Sequence, residues 1–166
     1  MMIRSFLHAG ICSLMLLPSM VAGGDVVTVK RLHPDLAWQL VKHTVDACRA
    51  EGYQVTAVVV DRDGAETAVF RDVHASRFTL QIARDKANAV LLSGISSGEF
   101  RDNRRDIQQE MNHVSGVLVL QGGLPIESGG YQLGALGVSG APGGEKDELC
   151  AAKGLEKIQE RLDFAE

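Results

Sequence analysis

Aromatic side chains are scarce in this chain: Trp, Tyr and Phe together make up 5% of its 166 residues. A basic excess is missing as well, because the formal net charge is −4. Nucleic-acid binding needs cations for the phosphates and, on single strands, aromatic platforms for the bases. The two shortages together argue against a nucleic-acid partner. Metal-ligand spacing is also absent: there is no Cys-x-x-Cys and no His-x-x-x-His. No Lys-Ser or Lys-Thr follows the glycine runs, so they do not form a P-loop. No apolar run reaches the ~20 residues that a helical membrane span requires.

What is present begins with an atypical N-terminus. Met1 to Arg4 is a short basic start, and Phe6 to Leu17 is apolar apart from His8 and Ser13. Pro18 and Ser19 break that run, and Val21-Ala22-Gly23-Gly24 supplies small residues. This is the pattern of a secretory signal peptide over residues 1–24, cleaved after Ala22, Gly23 or Gly24. One domain over residues 25–166 is then expected, in a secreted or periplasmic location, with no stable membrane span after cleavage. With 45% apolar residues the chain can bury one core, and it is too short for two. Cleavage removes Arg4 and Cys12 and leaves two cysteines, Cys48 and Cys150. In an oxidising compartment an even pair suggests a disulfide. The alternative is two buried thiols on packed helices.

The pattern along the mature chain reads α-ββ-αα-βββ-α. His33-Pro34-Asp35 opens a helix that runs to about Glu51 and ends at Gly52, with His43 and Cys48 inside its apolar stripe. Gln54 to Val60 is a β-branched run, Asp61-Arg62-Asp63-Gly64 a hairpin turn, and Glu66 to Phe70 the returning strand. A helix over about Ser76–Leu92 is stopped by Gly94. Ser96-x-x-Glu99 has capping-box spacing and starts a third, charged helix through about Met111, read as a solvated face. Three short strands are expected at 117–120, 125–127 and 132–138, followed by a closing helix from Glu145 to about Leu162. Tight turns make the five-stranded sheet mainly antiparallel, with helices packed on it, an α+β fold.

Gly122-Gly123-Leu124-Pro125-Ile126, followed by Gly134-Ala135-Leu136-Gly137-Val138-Ser139-Gly140-Ala141-Pro142-Gly143-Gly144 and then Asp147 and Cys150, resembles the HbpS/GlcG-type haem-binding family. The C-terminal domain of PduO is also similar. Val58 to Gly64 and Ala83-Arg84-Asp85-Lys86-Ala87 agree with this. The resemblance implies a haem or related tetrapyrrole ligand, and a homo-oligomer. It does not name an iron ligand.

Haem iron accepts His, Met, Cys or Tyr. His43, on the apolar stripe, and His74, in the loop after the second strand, are the candidate iron ligands; the competing readings are a core or interface histidine for His43 and an ordinary exposed loop for His74. Arg71 and Arg77 flank His74 in sequence and are candidates for the propionates. Lys86, in a mostly apolar helix, either extends to solvent or meets a ligand carboxylate. Gly140, Gly143 and Gly144 precede a helix start, where free N–H groups would suit an anion. A plain strand-to-helix turn is the competing reading. His33 and His113 sit at helix ends. No nucleophile–base pair is evident, so no catalytic residue is assigned. Binding for sensing, storage or transfer is the expected function. The alternatives are an enzyme acting on haem or a small carboxylate, and an oligomeric docking module.

Overall fold

Val55 to Val60 carries β-branched or small apolar side chains at all six positions, and a strand can bury such a run only if both of its faces are covered. That is its environment in the structure, a computed structural model that describes residues 26–164. Strand β1 (Thr56–Asp61) lies inside a four-stranded antiparallel sheet with β2 (Glu66–Arg71), β3 (Gly123–Ser128) and β4 (Tyr131–Ser139), in the order β2-β1-β4-β3. Helix α1 (Pro34–Ala50) packs on one face with α5 (Gly144–Glu156) and α6 (Gln159–Asp163). Helix α2 (Phe78–Ser93) covers the other face, flanked by α3 (Ser97–Asn103) and α4 (Gln108–Met111). Alternate β1 side chains therefore enter two cores. Ala57 and Val59 meet Leu36, Leu40 and Cys48, whereas Val58 and Val60 meet Ala83, Ala87 and Val90. The predicted signal peptide, with Cys12, lies outside the described residues. No helix among the described residues is long and apolar enough to cross a membrane.

The expected fifth strand does not form. Residues 117–120 pair with no strand among the described residues, and several of their backbone groups bond to α2 and the α3–α4 segment instead. Leu118 N–H donates to the Asp85 carbonyl (3.1 Å), Val119 N–H to Asn112 Oδ1 (2.8 Å), and the Leu120 carbonyl accepts from Ser97 Oγ (2.8 Å). The strand expected at 125–127 is longer, since β3 starts at Gly123 and ends at Ser128. Pro125 fits there because β3 is a sheet edge, where a missing N–H is tolerated. The charged helix breaks into α3 and α4, and the closing helix into α5 and α6. Elsewhere the local chemistry behaves as the residues dictate. Asp61 Oδ1 accepts from Asp63 and Ala65 N–H in the hairpin, Ser96 Oγ caps Glu99 N–H, and Gly94 ends α2 at φ 74°.

Gly137 shows how tightly α2 seats on the sheet. A Cβ there would stand 1.9 Å from the Ala83 carbonyl oxygen, so only glycine admits the helix at this depth. On the other face, Cys48 of α1 and Cys150 of α5 form a disulfide with Cα atoms 5.3 Å apart.

The end of α1 is clamped to the sheet by charge. Arg49 Nε and Nη2 donate to the two carboxylate oxygens of buried Asp72 at 2.6 and 2.9 Å, and Val73 N–H donates to Oδ1. The Arg49 hydrogen bonds hold the Asp72 carboxyl below its usual range. A depressed native pKa gives stability that is full above the unfolded value, about 3.9, and lost as pH falls through the native one. Stability measured by urea unfolding should therefore decline on acidification below about pH 4, and Asp72→Asn should flatten that decline. An equally steep acid limb in the variant would assign it to other carboxylates.

Candidate functional site

His43 sits half-buried on the outer side of α1 and lines a valley of about 390 Å³ between α1 and α5. Asp46, Ala47, Lys153, Glu156 and Lys157 complete most of its lining. Four charged side chains, Asp46, Lys153, Glu156 and Lys157, thus stand beside the two alanines and His43. His74 is exposed in the β2–α2 connection and does not line that valley. Arg71, the last residue of β2, and Arg77, just before α2, are exposed as well. The Arg71 guanidinium donates to the Ala75 carbonyl (2.5 Å), and that of Arg77 lies over the Phe78 ring, 4.5 Å from its centroid. Arg71, His74 and Arg77 thus lie along one segment, whereas His43 is on a separate element, α1. His33 is a helix cap: its Nδ1 accepts from Asp35 N–H at 3.2 Å. His113 is exposed after α4.

Lys86 neither reaches solvent nor waits for a ligand. It is 1% exposed, and its Nζ donates to Asp147 Oδ2 (2.7 Å) and to the Val138 carbonyl (2.9 Å). The carboxylate it meets belongs to the chain itself. Asp147 is 3% exposed, and its second oxygen accepts from Ala141 N–H at 2.9 Å. Burial pushes the Asp147 carboxyl upward; the Lys86 ammonium and the Ala141 N–H pull it back. The pair thus ties α2, β4, the glycine loop and α5 together inside the protein. The sequence left Lys86 a choice between solvent and a ligand carboxylate, and the pairing with Asp147 was missed. The two residues are far apart in the chain, and nothing local links them.

The glycines of that loop have packing reasons of their own. A Cβ at Gly140 would come within 2.6 Å of the Gln54 carbonyl oxygen, and one at Gly144 within 2.6 Å of the Gln121 carbonyl oxygen. Gly143 is the residue before α5, at φ 132°. Close backbone packing and turn geometry account for all three without a bound anion.

A second concavity, about 490 Å³, lies where the end of α2 meets α3 and α4. Leu92, Ile95, Phe100, Arg104, Ile107 and Met111 line it. Its wall belongs to a small cluster of Ala89, Phe100 and Val119 with Ile95 and Met111, separate from the two main cores. The sequence expectation read this charged stretch as a solvated face. The missed signal is the spacing of Phe100, Arg104, Ile107 and Met111, which follows one helical face within the charged run. Just before it, Gly94-Ile95-Ser96-Ser97-Gly98 has Gly-x-Ser-x-Gly spacing. A nucleophile elbow joins a strand to a helix. This segment joins two helices, and its central Ser96 hydroxyl is engaged as a cap. Among the described residues no group of three or more His, Cys, Asp or Glu is placed to hold a metal ion.

A family model described as "Haem degrading protein HbpS-like" matches residues 32–156. The chain belongs to the HbpS-like family. The HbpS-like fold extends through solved structures. A crystal structure of HbpS is 27% identical, with TM-score 0.77, covering 82% of this chain and 96% of that one. A double Glu-to-Asp mutant of HbpS from Streptomyces reticuli is 26% identical, with TM-score 0.77, covering 87% of this chain and 98% of that one. A haem complex of PduOC shares the fold at 24% identity and TM-score 0.69, covering 78% of this chain and 96% of that one. Among curated proteins none matches this HbpS-like chain in sequence.

Proposed function

We propose that this chain is an exported protein that binds haem or a related tetrapyrrole for storage, transfer or sensing. The observation that carries the reading is the HbpS-like match over residues 32–156. A solved relative by fold is a haem complex, which supports the same ligand class. The basic, apolar and small-residue sequence of residues 1–24 supports export.

The residues present suit such a ligand. A tetrapyrrole needs an apolar cleft for its faces, cations for its carboxylates and a donor for the iron. Both concavities offer a donor and a cation: His43 with Lys153 and Lys157 in one, Met111 with Arg104 in the other. Cys48 and Cys150 are disulfide-bonded and so offer no thiolate. When bound, haem would supply the redox and light-absorbing chemistry. The chain's own part is to hold the ring, pair its carboxylates and limit its contact with water.

A haem titration followed by absorbance, with His43→Ala and His74→Ala alongside, tests this reading. We expect a saturable, sharpened Soret band in the parent protein. Its loss in one histidine variant would name an imidazole as the iron ligand. No saturable change in the parent would defeat the haem reading. A second reading, haem breakdown, is favoured by the family's own description. It predicts that the Soret band decays once an electron donor and air are supplied, whereas a carrier keeps it.

A further inference from the structure

We infer that the tetrapyrrole sits in the groove of α2, α3 and α4, with the Met111 thioether on the iron and the Arg104 guanidinium on a ring carboxylate. This rests on the haem reading above and assigns its site.

The argument starts from the ring. Its two faces are apolar, so the walls that cover them must lose little by giving up water. In the His43 valley, ring binding would strip water from Asp46, Lys153, Glu156 and Lys157, and taking charges out of water is costly. In the α2–α3–α4 groove the apolar walls are Leu92, Ile95 and Ile107, whose further burial is favourable, together with the already buried Phe100; Ser93 and Asn103 are uncharged. Leu92 is 55% exposed, so apolar surface there is still in contact with water. A volume of about 490 Å³ falls among small-molecule sites, which pair a mostly apolar lining with a few placed polar groups.

Those few groups have the right chemistry. Met111 carries a thioether, one of the side-chain groups that ligate haem iron. Arg104 offers a planar fork suited to a carboxylate. Its present partner is the neighbouring Asp106, reached at 3.1 and 3.2 Å, and both side chains are exposed. Exposed pairs of this kind contribute little, so exchanging Asp106 for a ligand carboxylate costs little. The break between α3 and α4 falls at residues 104–107, so Arg104 and Ile107 both come from the interrupted turn.

The test compares haem with the metal-free porphyrin on four purified proteins: the parent, Met111→Leu, Met111→His and Arg104→Ala. Met111→Leu keeps the volume and removes the sulfur. It should weaken haem about tenfold or more and leave metal-free porphyrin, read by fluorescence, essentially unchanged. Met111→His should restore haem binding with a displaced Soret band. Arg104→Ala should weaken both ligands by several-fold. If the parent binds haem and Met111→Leu binds it equally well, with an unchanged spectrum, the assignment is wrong and the haem reading stands. If the parent binds neither ligand, both fall.

Discussion

Lys86→Met should be among the most damaging single changes to this protein, with an expected loss of about 3–5 kcal/mol in unfolding free energy. The reason is the partner left behind. Asp147 is almost completely buried, and among the described residues Lys86 is the one cation that reaches its carboxylate. Met fills much of the lysine volume, so the loss would come from an uncompensated buried charge and not from a cavity. Without the ammonium, the main influence remaining on the Asp147 carboxyl is burial, which already pushes its pKa upward. A raised native pKa gives stability that is full below the unfolded value and lost as pH rises through the native one. The Lys86→Met deficit should therefore be large at neutral pH and shrink on acidification. Adding Asp147→Asn removes the stranded charge and keeps a side-chain acceptor for the Ala141 N–H. The double variant should thus be more stable at neutral pH than Lys86→Met alone, an interaction between neighbours that single changes hide. Urea unfolding of the parent, both single variants and the double at neutral and acidic pH reads all of this. A Lys86→Met loss under about 1 kcal/mol would mean that water reaches the pair and that it does not act as a buried one.

The same pair marks how far the sequence could be read. Elements whose chemistry is local were legible: the Pro34 start of α1, the Asp61–Gly64 hairpin, the Ser96 cap and the Gly94 stop all act over a few residues. The glycine-rich C-terminal motif carried the family, and the HbpS-like match agrees with it. What failed was non-local. Residues 117–120 have a strand's composition, but the groups that satisfy their backbone come from α2 and the α3–α4 segment. An apolar run cannot reveal whether its partner is a strand or a helix. The partner of Lys86 lies 61 positions away, and that separation leaves no periodicity to detect. The charged residues of the α3–α4 stretch are solvated as expected, but the apolar groove beside them was missed for another reason. The stretch's five arginine and aspartate residues dominate the composition, whereas the apolar stripe of Phe100, Ile107 and Met111 is visible only when the residues are placed on a helix.

Replacing Cys48 and Cys150 together, as Cys48→Ala with Cys150→Ala, should cost about 2–5 kcal/mol. Two terms contribute and can be separated. The first belongs to the unfolded chain. The disulfide joins residues 102 positions apart, and closing so long a loop removes much of the unfolded chain's freedom. The second belongs to the folded protein. Both sulfurs are buried between α1 and α5 beside Leu40, Ala151 and Ile158, so alanine leaves a gap in the larger core. Reducing the parent disulfide keeps the sulfur atoms and loses only the cross-link, whereas the double alanine variant loses both. The difference between reduced parent and double variant is then the packing term, and the difference between oxidised and reduced parent is the cross-link. Because the sulfurs are buried, the native protein should resist a mild reductant that readily reduces it in urea. Thermal unfolding of the three species, with free thiols counted before and after, measures each term. A disulfide reduced in the native state as fast as in the unfolded one would show that α5 opens away from α1 without global unfolding. The clasp between these helices would then be a locally unstable part of the fold, and the His43 valley between them would be a mobile surface and not a fixed one.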